Sequence, residues 1–253
     1  MADLQDELKR LVDSTVFDDH RAAMMATIRE GWSFGGETTA TLQVSLLARI
    51  FGKKSEVPKL PAHVSKQGGV PYLETASDWP LDENGQLPFV AQINFAELPP
   101  IASPAPDEGI FVLFATRDLS YRWVWYPTPT GEAVLVSGPC VAKTESTLVG
   151  IVETSLSCAS WWDPDAEDIA DECDELTALC NWQGPTLGGW TNATLPGLVR
   201  QWSEMKPNSD EEWLSVWTQA QERVFGSLIP CVVVRVADFE AGRLDRCAVV
   251  KWQ

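Results

Sequence analysis

The residues best placed for chemistry in this chain are acids. Asp163, Asp165, Glu167, Asp168, Asp171, Glu172, Asp174 and Glu175 fall within the stretch Asp163–Cys180, which holds no Lys or Arg, and Trp161 and Trp162 stand directly before it. Carboxylates at this density can hold a cation, move protons or face a basic partner. The alternation of Asp163, Asp165 and Glu167 resembles a calcium loop, but the glycine needed at its sixth position is Asp168 here. The apolar residues Ile169, Cys173, Leu176 and Cys180 recur at i, i+4, i+7 and i+11, the stripe of an amphipathic helix. A helix is therefore the better reading than a metal loop. The remaining nucleophiles and ligands are scattered. His20 and His63 are isolated, and two lone histidines make neither a triad nor a metal site. No nucleophile elbow, phosphate loop, dinucleotide fingerprint or zinc-protease motif occurs. Cys140, Cys158, Cys173, Cys180, Cys231 and Cys247 form no C-x-x-C pair and read as buried or free thiols. No catalytic set, cofactor or metal is expected, and the chain is expected to act by binding, not as an enzyme.

The acidic helix carries a cost that points to such binding. Asp163 serves as N-cap with Pro164 at the first helical position. The like-charge pairs Asp168–Glu172 and Asp171–Glu175 each destabilise the helix by about 0.2–0.5 kcal/mol. Asp174 and Glu175 lie too far along to gain from the helix dipole. Selection for helix stability alone would interleave lysines. Aromatic anchors beside an acidic face are what an interface to a basic protein needs, so Trp161, Trp162 and the seven acids from Asp165 to Glu175 form the candidate partner-binding set. The competing reading is a solvated face with nothing bound, with at least one of the two tryptophans covering the core at the helix entrance.

Composition narrows the partner. The formal net charge of −17 over 253 residues repels nucleic acid and anionic membrane, and suits either a basic partner or simple solubility. Apolar content of 45% and charged content of 22% are those of a globular protein with a substantial core. Met1-Ala2-Asp3-Leu4-Gln5-Asp6-Glu7 lacks the basic and apolar regions of a signal peptide, and no apolar run is long enough to span a bilayer. A cytoplasmic location is expected.

The elements that position these residues follow from periodicity. Leu4, Leu8, Leu11 and Val12 mark a helix over 3–16; Met24, Met25 and Ile28 mark another over Asp19–Glu30, with Gly31 as its C′ residue; Leu42, Leu46, Leu47 and Ile50 mark a third over Thr38–Phe51. Lys53–Lys66 reads as a connection. The expected organisation is an N-terminal helical segment, 1–58, packed on one α+β domain, 59–253. Strands are expected at Leu87–Phe95, Gly109–Ala115, Ala133–Ser137, Leu148–Thr154, Leu228–Val236 and Arg246–Trp252, the last two around a loop at Asp238–Arg243. Ser209-x-x-Glu212 opens a helix with Trp213, Val216, Trp217, Ala220 and Val224 as its stripe and Gly226 at its end.

One stretch carries a resemblance. Gly68-Gly69-x-Pro71, Asp78-Trp79-Pro80, Leu87-Pro88-Phe89-Val90-Ala91-Gln92-Ile93-Asn94 with Glu97-Leu98-Pro99, and Gly109-Ile110-Phe111-Val112-Leu113-Phe114 follow one another in the order and spacing of the YwqG-like family. Leu187-Gly188-Gly189-Trp190 resembles that family's second Gly-Gly turn. The resemblance implies an α+β fold with a β-rich core and a mixed or antiparallel sheet, and a Gly-Gly turn followed later by a strand pair, echoing the 67–115 region, hints at a diverged internal duplication. It also implies a bacterial protein found beside polymorphic toxins as an immunity protein. With that role, the acidity of the chain makes a basic toxin effector the expected partner, with a nuclease the first candidate, docked on the acidic helix. Gly68, Gly69, Pro71, Trp79, Pro80 and Gln92 are read as architecture. The alternative is a small-molecule-binding or enzymatic domain whose pocket is ringed by Gln92, Asn94, Trp79 and Trp125.

Overall fold

Runs of β-branched and aromatic residues separated by Pro, Gly and acid build strands that differ in length and in how many faces they bury. The structure, a computed structural model, describes residues 29–34, 60–116, 120–142, 145–155, 186–189, 212–218 and 229–252. In chain order its strands are β1 (Arg29–Ser33), β2 (Lys66–Gln67), β3 (Leu81–Asp82), β4 (Gly85–Gln86), β5 (Phe89–Asn94), β6 (Ile110–Ala115) and β7 (Tyr121–Tyr126). These are followed by β8 (Ser146–Thr147), β9 (Ile151–Ser155), β10 (Thr186–Leu187), β11 (Trp213–Thr218), β12 (Ile229–Arg235) and β13 (Ala248–Trp252). Among the described residues the only α-helix is α1 (Val236–Glu240), beside a few single turns of 3-10 helix. The described residues are thus β-rich, with antiparallel sheets and very little helix. The chain divides into two compact units, one drawing on 29–34, 99–106 and the described residues from 150 onward, the other on 60–98 and 107–149.

In the second of these units five strands lie in the order β7-β6-β5-β2-β8, all paired antiparallel, with the hairpin β3-β4 apart. Both faces of β6 are buried, which is why Ile110-Phe111-Val112-Leu113-Phe114 reads as an unbroken apolar run instead of an alternation. Ile110, Val112 and Phe114 join Tyr72, Leu73, Trp79, Leu87, Phe89 and Tyr126 in one core. Each such side chain contributes about 1.5–3 kcal/mol on leaving water. The runs expected at Leu87–Phe95 and Gly109–Ala115 form β5 and β6. Ala133–Ser137, expected as a strand, is irregular: Val136 N–H donates to Val134 C=O at 3.0 Å, a three-residue turn that breaks extension. Ala133 and Val136 still pack on the core. The strand expected at Leu148–Thr154 begins only at Ile151, after the separate short β8. Lys66, expected to close a connection, is instead a buried residue of β2.

In the other unit β1 pairs antiparallel with β9 and β10, while β11, β12 and β13 form a second sheet. The helix expected over Asp19–Glu30 is corrected at its end, because Arg29, Glu30 and Gly31 are strand residues; its earlier residues, and the helices expected at 3–16 and 38–51, lie outside the described residues. Gly31 is no helix cap. A Cβ there would come within 2.7 Å of both Leu187 O and Gly189 N, so its role is close approach of two strands. Arg29 anchors the same strand: Nε donates to Gly188 C=O at 3.1 Å, Nη1 pairs with Glu240 at 2.9 Å, and the guanidinium lies over the Phe239 ring. The helix expected from Ser209 is also corrected, since Trp213–Thr218 is β11. A bulge between Ser215 and Trp217 adds a residue, so Trp213 and Ser215 share one face while Leu214 and Trp217 share the other. Trp213 and Trp217, which share a stripe at helical spacing, therefore lie on opposite faces of the strand. Both faces are buried. The expected strands at Leu228–Val236 and Arg246–Trp252 form β12 and β13, and the loop between them contains α1. Buried Asp238 in α1 accepts from Arg243 Nε at 2.7 Å and so fixes the following turn.

Candidate functional site

Trp161, Trp162, Asp165, Glu167, Asp168, Asp171, Glu172, Asp174 and Glu175 lie outside the described residues. What the structure does describe is how the Gly-Gly-x-Pro, Trp-Pro and Gln-x-Asn residues are used. β2 runs into Gly68 and Gly69, both left-handed, with φ of 71° and 73°. A side chain at Gly69 would be strained by that φ and would also fall on the Glu145 carboxylate. Glu145 is occupied: Oε1 pairs with Lys66 Nζ at 3.0 Å and Oε2 accepts the Leu60 N–H at 3.1 Å. Lys66 is buried and donates further to Pro61 C=O. The Cys140 thiol donates to Gly69 C=O at 3.0 Å, and burial, then the charge of Glu145, pushes its pKa up, so it is a thiol at neutral pH.

Gln92 is fully buried, and its amide ties three backbone groups together. Oε1 accepts the Tyr72 N–H at 2.7 Å, while Nε2 donates to Ala62 C=O at 2.6 Å and Val64 C=O at 2.7 Å. Asn94 Nδ2 donates to His63 C=O at 3.1 Å, and Glu97 accepts the Ser65 N–H at 2.6 Å. One face of β5 therefore clamps the whole 62–72 segment, satisfying backbone groups that a two-residue strand leaves open. These polar residues are committed to the backbone. Trp79 is likewise buried, its indole N–H donates to Leu87 C=O at 2.8 Å, and its ring packs 5.5 Å from that of Phe114. Trp125 packs edge-on to Phe95 at 5.5 Å.

Asp78 of the Trp-Pro segment is held by Tyr126 O–H at 2.8 Å, by Thr75 O–H at 2.9 Å and by Thr75 N–H at 2.9 Å. Burial works to raise its pKa, but these hydrogen bonds outweigh it and hold the carboxyl below its ordinary range. Burial, then the bond to Asp78, pushes the Tyr126 phenol well above its ordinary value. A depressed carboxylate stabilises the fold above its unfolded pKa and loses that contribution as pH falls. Asp78→Asn is therefore expected to be less stable than wild type at pH 7 by under about 1 kcal/mol, since the group is partly open to water. The gap should close below about pH 4, as urea midpoints measured across pH will show.

Around these clamps lies a surface that sequence reasoning missed. The segments 70–90 and 127–142 contain Glu74, Asp78, Asp82, Glu83 and Glu132 but no Lys or Arg. They cover one core together: Val134 N–H donates to Leu73 C=O at 2.8 Å, Phe89 N–H to Pro139 C=O at 2.8 Å, and Thr130 N–H to Glu74 Oε1 at 2.8 Å. The absence of cations in each segment was readable beforehand; their adjacency was not.

A β-rich unit whose short strand enters a Gly-Gly turn and is clamped by Gln and Asn from the neighbouring strand defines the class of domain. The chain matches the model of the family described as Domain of unknown function (DUF1963) over residues 65–195, a little over half its length, and belongs to that family. No curated protein matches it.

Proposed function

We propose that this is an immunity protein of the YwqG-like group, which carries this domain, and that it binds and occludes a basic toxin effector, with a nuclease as the first candidate. It works by binding in the cytoplasm, without catalysis or cofactor. The observation that carries this reading is a division of labour among the residues. Gln92, Asn94, Trp79 and Gly69 are committed to holding backbone and core, which leaves the pocket reading little polar chemistry to use at the motif. The chain also carries a formal net charge of −17. A polyanionic surface steers a basic partner onto itself and competes for a cleft built to hold phosphates. A short strand leading into a Gly-Gly turn, and a strand joined through a short helix to an antiparallel neighbour, occur in both units, which supports reading the chain as a diverged repeat.

The test is co-purification of tagged protein from its native cell at low and moderate salt, followed by assay of the partner's activity with and without the protein. A stoichiometric basic partner is expected, inhibited on binding and lost when Asp168, Asp171, Glu172 and Glu175 are all replaced by Ser. Absence of any partner at every salt concentration would overturn the proposal.

A further inference from the structure

We propose a docking surface on the wall formed by residues 70–90 and 127–142, which seats a basic segment bearing apolar anchors from a partner protein. The wall has two properties that rarely occur together. Its apolar side chains point outward: Leu81 is 70% exposed and Leu135 75%, with Val134 and Val141 also exposed. Its charge is of one sign, from Glu74, Asp82, Glu83 and Glu132 beside Asp78, with no Lys or Arg in either segment.

The exposure is not a by-product of looseness. Ala133 and Val136 turn inward onto the core, and hydrogen bonds tie the segment at Leu73 and Phe89, so Val134 and Leu135 are held outward by a fixed backbone. On the hairpin, Leu81 pairs with Gln86, and the Gln86 carboxamide and the Trp79 ring crowd Gly138, which brings hairpin and segment side by side. Exposed apolar side chains on segments of one charge are the anatomy of a recognition site, in which the apolar groups supply affinity and the charge supplies orientation. The charge chooses the occupant. A second copy of this chain would bring the same carboxylates face to face, and an anionic bilayer would be repelled equally. A basic partner pairs with the carboxylates and covers the leucines.

This surface deepens the immunity reading only by naming a second point of contact, and it is tested without that reading. Full-length protein with labelled methyl groups is titrated with two synthetic peptides, one alternating Lys and Leu and one alternating Lys and Ser at equal charge. Shifts confined to the methyls of Leu81, Val134, Leu135 and Val141, and a Kd about tenfold tighter for the Lys/Leu peptide, are expected. The double variant Leu81→Ser/Leu135→Ser, altered only at exposed positions, should keep its melting temperature and lose that tenfold advantage. Equal affinity for the two peptides, shifts elsewhere, or an unchanged Kd in the double variant would overturn the surface. A native partner retained by the double variant but lost with the acidic-helix variant would overturn this surface and keep the immunity reading. Lys/Leu binding at the wall with no native partner would do the reverse.

Discussion

Replacing Gln92 with Leu is expected to cost about 3–5 kcal/mol of unfolding free energy, far more than the loss of one exposed hydrogen bond. Leucine fills a similar volume, so the loss is polar. The Tyr72 N–H and the carbonyls of Ala62 and Val64 would each be left without their side-chain partner, at about 1–3 kcal/mol for each one stranded away from water. Urea unfolding should show a lower midpoint with an unchanged slope. Gln92→Glu separates the two halves of the clamp. A carboxylate still accepts from Tyr72 but faces two carbonyl oxygens, so the folded state favours the protonated form and raises its pKa. A group shifted upward contributes stability below its unfolded pKa, about 4.3, and loses it as pH rises. The glutamate variant should therefore approach wild type at acid pH and fall away toward neutrality. A pH-independent loss would show that the two carbonyl contacts do not matter.

The second large effect belongs to the ion pair beneath the Gly-Gly turn. Lys66→Met is expected to cost about 3 kcal/mol, because Glu145 would remain in a mostly buried site without its cation. The double variant Lys66→Met/Glu145→Leu should recover most of that loss, since an apolar pair of similar size needs no compensation for lost hydration. Its remaining deficit, about 1 kcal/mol, measures the Leu60 N–H that Glu145 also satisfies. A double-mutant cycle reads the coupling directly. If the double variant were worse than Lys66→Met alone, the carboxylate would have to be stabilising in its own right.

Where local pattern and burial agree, the fold was legible. Ile110–Ala115 is apolar throughout and Phe89–Asn94 is apolar apart from Gln92 and Asn94; one follows Gly109 and the other Pro88, and they form adjacent strands. β11 read as a helix because apolar residues buried on both of its faces match a helical stripe, and its pairing with β12 lies outside any local window. β1 failed for a related reason: Gly31 looks like a helix stop until the backbone of β10 is seen lying against it. Of the functional residues, the reading of Gly69, Trp79 and Gln92 as architecture matches their hydrogen bonding and packing. The acidic stretch 163–175 was legible as charge alone. The wall of Leu81 and Leu135 was not legible, because its two segments are far apart in sequence and meet only through tertiary contacts such as the bonds to Leu73, Phe89 and Glu74.

The pairing of β1 also sets a timetable for synthesis. Arg29 lies opposite Ser155, and Trp32 opposite both Val152 and Leu187, so this strand leaves the ribosome long before either neighbour exists. At about 5–20 residues per second, the wait for β10 is on the order of 10 s. Until β9 emerges both edges of this strand are unpaired, and until β10 emerges one edge stays open to solvent, chaperones and other nascent chains. Stalling translation between β9 and β10 should therefore yield a protease-sensitive β1, and release of the full chain should protect it.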